Sequence, residues 1–143
     1  MARTMDDDEV RAFLSEGSRT GVLSTVRDDG RPHAAPVWFL VDGDDVVFMT
    51  GADTVKGRNL RRDPRATLVV DVEEFPYGFC LVEGEVRIDD EAADASLPLA
   101  VAIARRYVGD ERAEEYGRRN AVPGELVVRL PMTKVVAVAD LAG

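Results

Sequence analysis

The first half of the chain alternates short β-branched segments with Asp/Gly turns, and this pattern restricts the fold more than any other feature. The apolar segments cover residues 21–26, 33–41 and 46–50, and the turns are Asp-Asp-Gly at 28–30 and Asp-Gly-Asp at 42–44. Tight turns between short strands indicate antiparallel neighbours. Pro36 lacks a backbone donor, so we expect the second strand to lie at an edge or to carry a bulge. The region predicts a three-stranded meander.

The remaining segments predict more strands and short connecting helices. Asp6 and Glu9 form a capping-box pattern for a first helix, and Gly17 can end it. Asp53 or Thr54 caps a second helix over residues 55–62. Further strands are predicted at 66–72, 79–88, 126–130 and 134–138, and further helices at 92–108 and 111–119. About six strands with helices at the crossovers predict a mainly β (β+α) fold, a small antiparallel barrel.

Composition excludes several classes of protein. Lys and Arg number 18 against 27 Asp and Glu, and the net charge of -9 argues against general nucleic-acid binding and against an anionic membrane surface. No apolar run reaches the ~20 residues of a membrane helix, and the acidic start does not resemble an export signal. We therefore expect a cytoplasmic protein with no membrane partner.

The chain contains one cysteine and one histidine, which limits its metal and nucleophile chemistry. Cys80 cannot form an internal disulfide, and Cys80 with His33 cannot build a Cys/His zinc cluster. An all-carboxylate magnesium or calcium site stays open, but no spaced Asp/Glu loop predicts one, so no metal site is assigned. Cys80 lies in an apolar segment typical of a core thiol. His33 is the only side chain of the usual base type for a nucleophile.

Basic residues concentrate between residues 51 and 70 of this acidic chain. Five basic and two acidic residues lie there, and a predicted strand ends at Thr50 and Gly51 just before the helix that carries Lys56. The first backbone N–H groups of a helix attract anions, and the Thr50 hydroxyl and Lys56 ammonium would complete a phosphate site. A plain crossover helix with a solvated basic face is the alternative, because no complete phosphate-loop pattern is present.

Two longer patterns carry a family resemblance. They are Pro-His-x-x-Pro-Val-Trp-Phe at residues 32–39 and Lys-x-x-Asn-Leu-x-x-Asp-Pro-Arg at residues 56–65, with Phe-Met-Thr-Gly at 48–51 between them. In this order they resemble the flavin/deazaflavin oxidoreductase superfamily, and the match looks closest to PPOX-class proteins that depend on coenzyme F420. The resemblance implies a six-stranded antiparallel split β-barrel, the FMN-binding split barrel of pyridoxamine-phosphate oxidase, as one cofactor-binding domain over residues 1–143.

The resemblance also implies a homodimer with cofactor sites at the interface. Residues beside the flavin or deazaflavin ring would be His33, Ala34, Pro36, Val37 and Trp38; those at the ribityl chain and phosphate would be Met49, Thr50, Gly51, Lys56, Arg58 and Asn59. Tyr77 and Phe79 of the partner subunit would close the pocket. No catalytic residue is assigned, although His33 is a candidate proton donor.

The implied function is an F420-dependent oxidoreductase that transfers a hydride between the deazaflavin and a conjugated small-molecule acceptor. The side chains alone cannot carry two-electron redox chemistry, so a cofactor must supply it. Three alternatives stay open: an FMN-binding oxidoreductase of the pyridoxamine-phosphate-oxidase type, a non-catalytic cofactor or tetrapyrrole carrier, and a plain dimeric structural protein. The Arg-Lys pair typical of the phosphate oxidases is missing from the helix-entry loop, which disfavours pyridoxal chemistry.

Overall fold

Two antiparallel sheets and four helices form over residues 1–89 and 93–143, the part of the chain that the computed structural model describes. The strands are β1 (Arg3–Thr4), β2 (Gly21–Val26), β3 (Pro32–Val37), β4 (Phe39–Asp42), β5 (Asp45–Gly51), β6 (Arg65–Val72), β7 (Gly78–Glu85), β8 (Arg87–Asp89), β9 (Glu125–Pro131) and β10 (Lys134–Ala139). The helices are α1 (Asp7–Ser15), α2 (Val55–Arg62), α3 (Ala93–Val108) and α4 (Asp110–Asn120).

The two sheets enclose one apolar core. The six-stranded sheet has the order β1-β10-β7-β6-β2-β3, and the four-stranded sheet has the order β4-β5-β9-β8. Leu23 and Leu68 from the first sheet and Phe48 and Leu130 from the second are fully buried in the same cluster. The predicted mixed β+α fold with antiparallel strands is therefore confirmed.

The number of strands exceeds the prediction of about six, because two predicted strands each divide between the sheets and the two-residue strand β1 was not predicted. The segment at 33–41 breaks at Trp38 into β3 and β4, and the segment at 79–88 breaks at Val86 into β7 and β8. Trp38 and Val86 are apolar residues that carry no turn signal, so the local sequence does not place either corner. At the second corner the backbone N–H of Val86 leaves the ladder and donates to the carbonyl of Pro64. The described chain consequently has ten strands, and Pro36 lies on the edge strand β3, as expected.

The outer face of the six-stranded sheet carries a row of apolar side chains. Successive register pairs join Pro36, Val22, Val69, Leu81 and Val136 across β3, β2, β6, β7 and β10. Val22 and Val136 keep 45% and 46% of their surface exposed. We call these five residues the outer apolar row.

The N-terminal helix is fixed at both ends. Its capping box is present as predicted, with Glu9 N–H donating to the Asp6 carboxylate at 2.8 Å and Asp6 N–H donating to the Glu9 carboxylate at 3.2 Å. At the other end the Arg106 guanidinium donates to the carbonyl oxygens of Leu14 at 2.6 Å and Gly17 at 2.9 Å. A side chain of α3 thus satisfies one carbonyl in the last turn of α1 and one in the loop that follows it.

The helices α3 and α4 form a close hairpin. A Cβ placed on Gly117 of α4 would lie 2.8 Å from Cα and 2.9 Å from the backbone nitrogen of Val101 on α3. Only a glycine allows the two backbones to approach this closely. Among the described residues no helix is both long and apolar enough to span a membrane.

Candidate functional site

A cavity of about 270 Å³ lies where the two sheets meet, under the helical hairpin. Its lining residues are Pro36, Val37 and Trp38 at the β3–β4 corner, Met49 on β5, Lys56 on α2, Ala100 and Ile103 on α3, Asn120 on α4, and Glu125 on β9. We call it the Lys56 cavity. Six of these nine lining residues are apolar and three are polar or charged, and α3 and α4 form the roof of the cavity.

The junction of β5 and α2 is held tightly at one corner of this cavity. The Thr54 hydroxyl donates to the Gly51 carbonyl at 2.7 Å and accepts from the N–H of Gly57 at 3.1 Å, which caps α2. A Cβ on Gly57 would overlap the Gly51 carbonyl oxygen, so this position requires glycine. The close backbone approach at this junction thus depends on Gly57, whose nearest neighbour is the carbonyl of Gly51.

Two opposite charges face the cavity without touching. Lys56 and Glu125 are its charged lining residues, and no ion pair within 4.0 Å joins them in the described part of the chain. Burial raises the pKa of the Glu125 carboxyl, and the charge of Lys56 opposes that shift. The two charged groups therefore line the same cavity without forming an ion pair with each other.

Trp38 forms one wall of the cavity, and Tyr107 supports it from behind. The rings of Trp38 and Tyr107 stack at a centroid distance of 5.0 Å and an interplanar angle of 4°. The Tyr107 hydroxyl accepts from the backbone N–H of Phe39 at 3.1 Å and donates to the carbonyl of Arg19 at 2.8 Å. Burial raises the pKa of the Tyr107 hydroxyl above its ordinary value.

The predicted site residues divide into those that line the cavity and those that support it. The five that line it are Pro36, Val37, Trp38, Met49 and Lys56. Gly51 lies beside the cavity. A Cβ added to this glycine would lie 3.5 Å from a carboxylate oxygen of Glu125. The Thr50 side chain is buried, and its hydroxyl is within 3.1 Å of the Thr54 hydroxyl.

Asn59 has a structural partner on the neighbouring strand. Its side-chain amide is 4% exposed, donates to the Thr25 hydroxyl at 3.0 Å and accepts from Arg62 at 3.2 Å. In this chain the amide therefore fastens α2 to β2. Arg58, two residues after Lys56, is exposed and lies outside the cavity lining.

The other predicted residues lie apart from the cavity within one chain. Ala34 is exposed on β3, and the half-buried His33 has an Nδ1 atom that is buried without a hydrogen-bond partner in the described structure. Tyr77 lies in the loop before β7, where its carbonyl accepts from Leu141 at 3.1 Å, and Phe79 is on β7. Neither aromatic residue lines the Lys56 cavity of its own chain.

Sequence reasoning missed the roof and the carboxylate of the cavity. Ala100, Ile103, Asn120 and Glu125 were not predicted. An apolar helical stripe that includes Ile103 marks α3 as packed against the body, without indicating which surface it covers. Glu125 reaches the site through the pairing of β9 with β5, which places it opposite Gly51. That pairing joins strands more than seventy residues apart and leaves no local signal.

Solved structures similar to this chain include proteins of known and unknown activity. A conserved hypothetical protein, Rv2991 from Mycobacterium tuberculosis, is 28% identical with a TM-score of 0.79, covering 93% of this chain and 84% of that one. An F420 reductase is 25% identical with a TM-score of 0.69, over 87% of this chain and 94% of that one. A FAD-binding protein from Mesorhizobium loti, at 15% identity and a TM-score of 0.71 over 96% of each chain, shares the fold.

The family model named pyridoxamine 5'-phosphate oxidase matches residues 6–138, which is nearly the whole chain. The match spans both sheets, the Lys56 cavity and its helical roof, and it confirms the resemblance that the motifs at 32–39 and 56–65 indicate. This chain therefore belongs to the pyridoxamine 5'-phosphate oxidase family.

Proposed function

We propose that this protein is a reductase that binds coenzyme F420 in the Lys56 cavity and reduces a conjugated small-molecule acceptor. The observation that carries the proposal is the cavity itself, which joins an apolar wall to a single ammonium group beside the start of α2. The similarity to an F420 reductase over 87% of the chain supports the choice of a deazaflavin over FMN.

The cavity fits the two chemical parts of such a cofactor. Trp38, Met49 and Ile103 offer flat or flexible apolar surface for a tricyclic ring. Lys56 lies in the first turn of α2, where backbone N–H groups without helical partners add positive potential for a phosphate. Thr54 already occupies the N–H of Gly57, so the N–H groups of residues 55 and 56 are the backbone donors that we assign to the anion.

The bound cofactor would supply hydride transfer. The residues of the chain would bind the cofactor, orient it and exclude water from the cavity. Trp38 is held from behind by Tyr107, which fixes one face of the pocket before a ligand arrives. The roof residues Ala100 and Ile103 cover the apolar side. The exposed guanidinium of Arg58 lies on the surface of α2, where it suits an anionic tail that extends out of the cavity.

We also propose that the active form is a homodimer joined through the outer apolar row. Pro36 belongs both to this row and to the cavity lining, so a second copy docked on the row would border the Lys56 cavity. Tyr77, 44% exposed, and Phe79 would then reach the cavity of the other copy.

Introducing charge by Val136→Asp should shift the protein toward monomer in light scattering. Val122→Asp, on a loop at 42% exposure, is the matched control and should leave the dimer intact.

Ligand titration tests the cofactor assignment. Trp38 is the single tryptophan of the chain, so its fluorescence reports the cavity directly. F420 should quench this emission more strongly than FMN at equal concentration, and Lys56→Met should weaken binding by about 1.5–3 kcal/mol, the range for a hydrogen bond to a charged group. Arg118→Met removes an exposed charge that pairs with Glu114 and serves as the control.

Turnover separates an enzyme from a carrier. The protein should oxidise reduced F420 only when a conjugated acceptor is added, as followed by the return of the oxidised deazaflavin absorbance. Tight FMN binding with no quenching by F420 would move the assignment to the FMN-dependent oxidoreductases. Binding of F420 with no turnover across a panel of acceptors would identify a carrier instead.

A further inference from the structure

The corner proposed to hold an anion also contains a carboxylate. Glu125 lies opposite Gly51 in the β5–β9 pairing, and its Oε2 atom is 3.5 Å from the position of a Gly51 Cβ. Gly51 is the residue whose carbonyl accepts from Thr54 and closes the start of α2. A phosphate seated at Lys56 would therefore share this small space with the Glu125 carboxylate, and both would compete for one ammonium group.

The surroundings of Glu125 favour its protonation when an anion binds nearby, because this removes the repulsion between the two negative charges. Lys56 on α2 is the charged group that faces it; the neutral lining groups are Met49 on β5, Pro36, Val37 and Trp38 at the β3–β4 corner, Ala100 and Ile103 on α3, and Asn120 on α4. In the described structure no ion pair within 4.0 Å holds the carboxylate in its charged form. Burial already raises the pKa of Glu125, and a second negative charge nearby would raise it further.

We propose that an anionic ligand binds at Lys56 together with one proton, which Glu125 takes up, so that Glu125 sets the pH range in which the cofactor is held. This inference rests on the proposed function, because it requires an anionic ligand in the Lys56 cavity. Protonated Glu125 would donate a hydrogen bond to the anion instead of repelling it. Glu125 is a positioning residue in this role and takes no part in the redox step.

The test compares the dissociation constants of FMN and of F420 for the intact protein and for Glu125→Gln, between pH 5 and pH 8.5. For each ligand, the dissociation constant of the wild-type protein is divided by that of Glu125→Gln at the same pH. This ratio cancels the ionisation of the ligand itself. At pH 8.5 the wild-type protein should bind about tenfold more weakly than Glu125→Gln, as one pKa unit of coupling implies. The ratio should approach one at pH 5. Glu125→Asp keeps a carboxyl group and should keep the pH dependence.

Each other outcome overturns a defined part of the argument. A ratio that stays flat with pH, while Lys56→Met still weakens binding, removes proton uptake and leaves the proposed function standing. Weaker binding by Glu125→Gln at every pH would make the carboxylate an acceptor for ligand hydroxyls, which also contradicts the proposal. If no variant binds FMN or F420, both the proposed proton uptake and the proposed function are contradicted. Calorimetric titration in two buffers of different ionisation enthalpy measures the proton directly. For a tenfold coupling, the expected uptake by the wild-type protein peaks at about half a proton per site, at a pH between the free-state and bound-state pKa values of Glu125, and it is absent in Glu125→Gln.

Discussion

The indole ring of Trp38 lies parallel to the phenol ring of Tyr107, with their centroids 5.0 Å apart. Because Tyr107 is also hydrogen-bonded to the backbone at Phe39 and Arg19, α3 holds the corner between β3 and β4 in place. The same helix supplies Arg106, which donates to the carbonyl of Phe39 at 2.7 Å. The wall of the cavity is thus preformed by contacts that lie behind it.

Removing the Tyr107 ring should disturb the cavity in a way that Trp38 reports. Tyr107→Leu should shift the tryptophan emission to longer wavelength, since the indole loses its stacked neighbour and gains water, and should weaken F420 binding several-fold. Tyr107→Phe keeps the ring but leaves the N–H of Phe39 unpaired, at a cost of about 1–3 kcal/mol in unfolding free energy. Fluorescence spectra and urea melts of both variants separate the two effects. An unshifted spectrum in Tyr107→Leu contradicts the stacked arrangement.

Gly57→Ala should destabilise the protein although it replaces a helical glycine. The new Cβ overlaps the Gly51 carbonyl, so α2 must move away from β5. We expect a net loss of about 2 kcal/mol in unfolding free energy, because overpacking exceeds the ~1 kcal/mol gained from helix propensity. Gly84→Ala, where the nearest atom to an added Cβ is 3.5 Å away, is the matched control and should change stability far less. Equal melting curves for both variants would contradict this account.

The Asn59 amide should matter for stability before it matters for ligand binding. Asn59→Ala leaves the buried Thr25 hydroxyl without its donor and should cost about 1–3 kcal/mol. Thr25→Val should cost a similar amount, and the double variant should cost less than the sum of the two, because both remove the same hydrogen bond. Urea unfolding of the four proteins measures this coupling. Additive losses would show that the two side chains act independently.

The buried thiol should make stability fall at high pH. Burial raises the pKa of Cys80 to about 11 from its ordinary value of 9.0. Between these values the unfolded chain loses the thiol proton while the folded chain keeps it, so the unfolding free energy decreases as pH rises, by up to about 1.4 kcal/mol per unit. Urea melts between pH 8 and pH 10.5 should show this slope relative to Cys80→Ala. A parallel pH profile for the variant would contradict it.

Local signals account for most elements of the fold. The predicted bounds of β2 and α2 agree with the structure, and the Asp6–Glu9 capping box forms as expected. Caps, turns and apolar periodicity act over a few residues, so one sequence contains them. The corners at Trp38 and Val86 depend on which sheet each half-strand joins, and the sequence of a half-strand does not specify its partner.

The candidate site also divides into a part that local sequence signals predict and a part that depends on long-range packing. The near side of the cavity, from Pro36 to Lys56, lies on motifs that the sequence displays. Asn59 belongs to one of those motifs, yet its amide bonds Thr25, a partner that only the packing of α2 on β2 reveals. Glu125 and the roof reach the cavity through long-range pairing and helix packing, which require the folded backbone to be seen.

The roof has a consequence for how relatives of this protein can diverge. Both of its helices come from one uninterrupted stretch between β8 and β9, and Gly117 joins them to each other by direct backbone approach. Exchange, lengthening or shortening of that stretch would reshape the cover of the Lys56 cavity without altering a strand register. The anchor at Arg106 and Tyr107 marks where a transplanted hairpin would have to rejoin the body.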